Sequence, residues 1–282
     1  MVAASASARL WKTSPLTYIA LVLGVLASIY PFYDMFVIAT RSLDAINSVP
    51  PPFTPGGSFG DNFGRVLDND AANFVKGIVN SVIVSTVVTF SVVLTGTLAG
   101  FAFAKLRFRG RNGLLAAIVV TMMVPTQLGL IPLWGMMQDL GWYDTLYAVT
   151  VPFLASAFGV FMMRQYATQA VSDELIEAAR VDGCSTFRVY WNVVLPALRP
   201  AAAVLGLLTF MDTWNQFLWP YAALTNDNPT LQVSLAFLSY AYYTDYSQVF
   251  AATAVGTVPL LLVFIFFGRQ IIGGIMEGAV KQ

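Results

Sequence analysis

Five stretches of this 282-residue chain contain no Asp, Glu, Lys or Arg: 13–33, 77–104, 112–138, 145–163 and 246–268. A sixth, 200–226, contains only Asp212. About 20 apolar residues cross the ~30 Å hydrocarbon layer as a helix, so every stretch is long enough to span it. The runs are long and continuous and lack the two-residue alternation of a membrane barrel, which favours helices over strands. The sequence therefore predicts an all-α, polytopic membrane protein with six transmembrane helices, at about 16–39, 77–104, 112–138, 145–166, 200–223 and 247–270. One transmembrane domain over 1–282 accounts for the chain, with a polar cytoplasmic loop at about 171–199 and external loops at about 41–75 and 224–246. Only 11% of residues are charged, against about 25% in an average soluble domain.

The positive charges set the orientation. Six spans place Arg9, Lys12, Lys105, Arg107, Arg109, Arg111, Arg164, Arg180, Arg188, Arg199, Arg269 and Lys281 on one side and only Arg41, Arg65 and Lys76 on the other. Cytoplasmic loops carry the Lys/Arg excess, so both termini are expected in the cytoplasm. The basic cluster Lys105–Arg111 reads as a turn anchor, and no nucleic-acid partner is expected. Residues 16–39 lack a small-residue cleavage site and read as a retained anchor. The single Cys184 allows no internal disulfide and reads as a small packing residue.

Within the spans, Gly96 and Gly100 lie four residues apart, a spacing that lets helices approach closely. Pro125 and Pro132 remove backbone donors and are expected to bend the third span. The first external loop is rich in Pro and Gly, with a short helix expected near Asn62–Leu67. Asp212 lies about a dozen residues into the fifth span, followed by Trp214, Asn215 and Gln216. An ionisable residue inside a span is costly and points to function. Two readings stand for this group: a sugar-contacting pathway, with hydroxyls bonded and a ring stacked on the indole, or polar contacts between helices. Asp34 fits either a functional role or the outer interface. Phe237, Tyr240, Tyr242, Tyr243 and Tyr246 give the last external loop an aromatic run that fits a partner contact or an interfacial belt.

The segment EAARVDGCSTFRVYWNVVLP, Glu177–Pro196, is the most distinctive polar one. Ser172 can cap a helix over Asp173–Asp182, whose first turn holds Asp173 and Glu174 at the positive helix end. Ala178 and Ala179 leave a low surface flanked by Glu177 and Arg180, and Gly183 suits a left-handed cap. A second stretch, Thr186–Val194, is expected to end at Leu195-Pro196 before the fifth span, making a cytoplasmic knob.

Several chemistries are excluded. None of the four lysines lies in a GxxxxGK[ST] loop, so the chain has no P-loop for ATP phosphates. With no His, it has no His metal site and no His base. No catalytic residue and no metal ligand is assigned. A membrane-embedded transferase would need paired acids or bases on one membrane face, whereas the cytoplasmic acids are few and mostly on one short helix. A secondary transporter would need ion sites in related repeats, and Asp212 has no visible twin.

Glu177, Ala178, Ala179, Asp182, Gly183 and Pro196 closely resemble the coupling-loop motif of the permease subunits of bacterial ABC importers. Pro31–Met35, Phe210–Pro220 and Gly278–Lys281 extend the resemblance to the carbohydrate-importer branch and its smaller, maltose-permease-like subunit, although the family usually has an aromatic where Asp34 stands. The resemblance implies the type I importer permease fold in a bacterial cytoplasmic membrane. It implies a heterodimer with a second permease subunit, two ATPase subunits that bind ATP and Mg, and an extracytoplasmic solute-binding protein. This chain itself would hold no cofactor. The implied solute is a sugar, a di- or oligosaccharide, with a glycerol-phosphate derivative as the alternative. The absence of Lys and Arg from the uncharged runs favours a neutral sugar. By the same resemblance, the coupling residues meet the ATPase and the aromatic run reaches the binding protein.

Overall fold

A computed structural model describes residues 14–239 and 244–279, with 269–279 described by backbone alone. Every regular element among the described residues is a helix. Among the described residues five helical stretches are long and apolar enough to cross a membrane, and a bent pair, taken as one span, makes a sixth. The described residues fall into two compact units, one drawn from 14–68 and 244–255 and the other from 69–239 and 256–279.

The first unit holds α1 (Pro15–Ala39), the short α2 (Leu43–Ile46) and α3 (Phe59–Leu67). Ser14 caps α1, and Pro15 follows at the first helical position, where its missing N–H costs nothing. The buried Asn62 on α3 donates to the carbonyls of Ala39 (2.9 Å) and Arg41 (2.8 Å), which have no helical partner at the end of α1. Arg65 reaches Asp245, the residue before the last helix, which also accepts from the Ser247 backbone at 3.0 Å. Burial pushes the Asp245 carboxyl up, but Ser247, Arg65 and Gln248 together outweigh this and hold it below its ordinary value.

The second unit opens with α4 (Phe74–Lys105), followed by α5 (Arg111–Thr121), α6 (Leu130–Asp139), α7 (Leu146–Thr150) and α8 (Ala157–Ala170). The expected close approach at Gly96 and Gly100 is present. A Cβ on Gly100 would meet the Met163 Cβ at 2.7 Å and the Arg164 nitrogen at 2.8 Å, so α4 touches the backbone of α8.

The third span does not simply bend. Its two arms, Arg111–Thr121 and Thr126–Asp139, meet at 89°. Pro125 lies in the break, whereas Pro132 lies in the first turn of α6, where a missing N–H is tolerated. The fourth span runs past its expected end to Ala170, and Arg164 within it has its Nε buried without a hydrogen-bond partner.

The fifth span departs most from expectation. It is one helical stretch of 30 residues, Thr186–Asn215, not a helix starting near 200. Its parts are α10 (Thr186–Val189), a π turn (Tyr190–Val194) and α11 (Leu195–Asn215). Leu195-Pro196 therefore does not end the preceding stretch. In an α-helix the Pro196 ring would press on the carbonyl four residues earlier, and the wider π turn relieves this conflict. Beyond a break at Gln216 come α12 (Leu218–Ala223) and α13 (Leu231–Ser239), the latter inside what the sequence suggested was a loop. α13 is tied to α4: Asn80 donates to the Pro229 carbonyl at 2.8 Å and Ser81 accepts from the Leu231 N–H at 2.8 Å. The last helix, α14 (Tyr246–Ala279), carries the sixth span over Tyr246–Gly268.

Candidate functional site: the polar knob

After the fourth span the chain folds into α9 (Asp173–Val181) and one turn, which lead into α10 at the start of the fifth-span stretch. Each end is fixed by a local signal in the sequence. Ser172 accepts from the Leu175 N–H at 3.4 Å, capping α9. At the other end Gly183 takes φ +78°, Cys184 N–H donates to Ala179 at 2.9 Å and Gly183 N–H donates to Arg180 at 3.0 Å. These two bonds make a Schellman cap, which needs a left-handed residue at this place. Ser185 then caps the next helix by accepting from Arg188 N–H at 3.3 Å.

The helix is one residue shorter than expected, with Asp182 as its C-cap. Ile176 and Ala179 are buried and join a core with Val189 and Tyr190, so Ala179 supports the knob from inside while Ala178 is exposed. Opposite the buried pair stand Glu174, Ala178 and Val181, with Glu177 on one flank and Leu175 and Asp182 on the other. Val181 is 88% exposed and Leu175 52%, in a segment outside every candidate span, while Phe187, 65% exposed, stands in the first turn of the fifth-span stretch. Exposed apolar side chains in a segment that lipid does not cover suit a protein partner. Pro196, in the first turn of α11, is exposed further along the same continuous helix.

Two contacts root the knob in the spans. The buried Tyr190 hydroxyl lies 2.8 Å from Thr97 Oγ1 of α4, and its ring lies 6.1 Å from that of Phe101. Lys105, at the end of α4, donates to Asp173 at 2.7 Å. The Lys105 hydrogen bond and charge hold the Asp173 carboxyl below its ordinary value. Glu174 is lowered by its own backbone N–H and by Ser172. Sequence reasoning saw Lys105 only as part of a basic turn and missed both this tie and the exposed Val181. An apolar residue on the outward face of a charged helix was the available signal for Val181.

The remaining assigned residues differ in their exposure and partners. Trp214 is buried and stacks on Phe210 at 5.6 Å, whereas Asp212 and Asn215 are exposed and Gln216 is half-buried. Asn215 donates back to the Met211 carbonyl at 2.8 Å, not to Gln216. With the longer helix in place, Asp212 lies in its last turn, four residues before the break at Gln216. Phe237 lies within α13, 6.4 Å from the Tyr221 ring. Tyr246 is exposed at the first residue of α14, while Tyr240, Tyr242 and Tyr243 lie outside the described residues.

The family model for the binding-protein-dependent transport system inner membrane component matches residues 92–272, a range that contains the whole knob. The chain belongs to this family. As a transport permease of this family it is similar along nearly its full length to curated relatives. The arabinooligosaccharides transport system permease protein AraQ of Halalkalibacterium halodurans is 31% identical over 277 residues, 96% of this chain and 99% of the relative. The lactose transport system permease protein LacG of Rhizobium radiobacter is 34% identical, over 94% of this chain and 95% of the relative. The sn-glycerol-3-phosphate transport system permease protein UgpE of Yersinia enterocolitica is 29% identical, over 92% and 95%. In structure, this permease is similar to a chain of a bacterial ABC transporter involved in the import of the acidic polysaccharide alginate, with a TM-score of 0.79. That likeness covers 90% of this chain and 94% of the other at 24% identity, and it shows a shared fold.

Proposed function

We propose that this permease forms half of the translocation pathway of an ATP-driven, binding-protein-dependent sugar importer. A second permease subunit supplies the other half, two ATPase subunits hydrolyse ATP with Mg, and an extracytoplasmic binding protein delivers the solute. The chain itself binds no nucleotide, metal or other cofactor, and both its termini lie in the cytoplasm.

The observation that carries this reading is the exposed face of the knob. Glu177, Ala178, Asp182 and Gly183 sit on or beside a surface whose apolar members, Val181 and Leu175, are exposed outside the candidate spans. This face docks in a cleft of the ATPase, with Glu177 making the charged contact and Ala178 allowing close approach. Closure of the ATPases on ATP draws the knobs of the two permeases together. Tyr190 and Lys105 pass that movement to α4.

On the solute side, the breaks at Met122–Pro125 and at Gln216 place non-helical backbone within apolar segments. Such backbone is tolerated where it lines a cavity. Asp212 and Asn215, exposed just before the second break, are the residues of this set that meet solute, and Trp214 supports them from within. The aromatic segment at 237–246 meets the binding protein and helps dislodge the sugar.

A neutral di- or oligosaccharide fits the uncharged runs and agrees with the names of the arabinooligosaccharide and lactose relatives. The glycerol-phosphate alternative has the UgpE relative in its favour and requires a cation in the pathway. Uptake of labelled oligosaccharide into proteoliposomes of the complete transporter, with competition by sugars and by glycerol phosphate, separates the two. Competition by glycerol phosphate alone would overturn the sugar reading.

A further inference from the structure

In the loop after α1, the segment 45–60 contains no charged residue, and its turn reads Val49-Pro50-Pro51-Pro52-Phe53. Val49 is 96% exposed and Phe53 64%. The turn does not project away from the apolar helix that precedes it. The Tyr33 hydroxyl donates to the Phe53 carbonyl, and Tyr33 lies six residues before the end of α1. At 1.5 Å per residue that is about 9 Å back along the helix. A helical side chain leans toward the N-terminus, which puts the Tyr33 hydroxyl deeper still. Arg41 fixes the returning strand, with Nε donating to the Thr54 carbonyl and Nη2 to Thr54 Oγ1, both at 2.8 Å.

The backbone of the turn suits a poorly hydrated place. Three successive prolines present no N–H that would need a partner. Of the carbonyls, Pro50 accepts from Ser48 Oγ at 3.2 Å and Phe53 accepts from Tyr33. Tyrosine and arginine beside an apolar tip are the side chains found at the boundary between headgroups and acyl chains.

We propose that the Val49–Phe53 turn is a membrane-interface anchor, inserting its apolar side chains at the headgroup–acyl boundary of the leaflet where α1 ends. Lipid is its occupant because its hydrogen bond to Tyr33 holds it against a span that is only 6% buried within the chain. The inference rests on the membrane placement of α1 and is independent of the solute and of the ATPase contact.

Spin labels at Val49→Cys, Phe53→Cys and Gly57→Cys test it in the complete transporter in lipid nanodiscs, with the other cysteines of the complex, Cys184 included, replaced by alanine. Molecular oxygen should reach the labels at 49 and 53 more readily than an aqueous nickel chelate does, with the order reversed at 57. Adding Tyr33→Phe should shift the label at 53 toward the aqueous reading. An aqueous reading at both 49 and 53 overturns the proposal. Protection of these labels from both reagents also overturns it, because it marks a protein neighbour: the second permease if constant, the binding protein if it appears only on docking.

Discussion

Lys105 donates to Asp173 at 2.7 Å, joining the last residue of the second span to the first residue of the knob helix. The lysine side chain is 9% exposed and the aspartate 76%, so a nearly buried cation is met by a solvent-facing partner. The tie complements the Thr97–Tyr190 contact, and together they link α4 to the start of α9 and to the π turn that follows α10. Asp173→Asn should lower sugar uptake per ATP hydrolysed by less than about fivefold, with a stronger dependence on salt, because exposed pairs are weak and screened. Uptake measured in proteoliposomes at two ionic strengths checks this; a loss that does not vary with salt would assign Asp173 a different role.

The carboxylates that organise the extramembrane contacts set a pH window. Asp173, Glu174 and Asp245 all have folded-state values below their ordinary ones. A depressed carboxylate contributes stability above its unfolded value and loses it as pH falls through the folded one. Thermal unfolding of the assembled permease should therefore show no pH dependence from these groups between about pH 5 and 8, where their contribution is fully present, and a decline only below about pH 4. A midpoint centred near neutrality would require another titrating group.

Gly183 is required for its backbone and not for space, since a Cβ there would meet nothing within 4 Å while its φ is +78°. Gly183→Val should strain the cap by about 1–2 kcal/mol and misplace α10 relative to α9. The expected outcome is ATP hydrolysis that continues with uptake largely lost. Gly183→Asn, which tolerates the left-handed region, should retain most of the coupling. Equal behaviour of the two variants in paired ATPase and uptake assays would contradict this account of the turn.

Gly100 has the opposite requirement. Gly100→Ala would press on the Met163 Cβ at 2.7 Å, whereas Gly113→Ala on α5 meets nothing within 4 Å. Overpacking at Gly100 should cost about 1–3 kcal/mol. Gly113→Ala, in the first turn of α5, should be neutral or gain up to about 1 kcal/mol, because glycine loses more backbone entropy in a helix than alanine. Thermal denaturation of the purified complex in detergent should rank the two in that order.

The number of spans, the Ser172 and Gly183 caps and the Gly96–Gly100 approach were legible because each rests on local composition or on a residue with one conformational use. The third span's right-angle break was only half visible: proline marks a lost donor, but not which of Pro125 and Pro132 falls within a helix's first turn. The start of the fifth span was hidden because Thr186–Val194 is amphipathic, and only the π turn shows how Pro196 can follow it unbroken. Long-range ties escaped the sequence altogether. Asp144 takes φ +56° and accepts from the Thr225 N–H at 2.8 Å and its hydroxyl at 2.9 Å, a tie across 81 residues with no local signal.

Solute uptake by proteoliposomes holding both permease subunits, with and without the ATPase subunits, tests most directly whether this chain is driven through its knob. Uptake is expected only when the ATPase and ATP are both present, and it should fall sharply when Glu177→Ala is introduced. Uptake by the permease subunits alone, with no nucleotide-hydrolysing subunit in the membrane, would contradict the account.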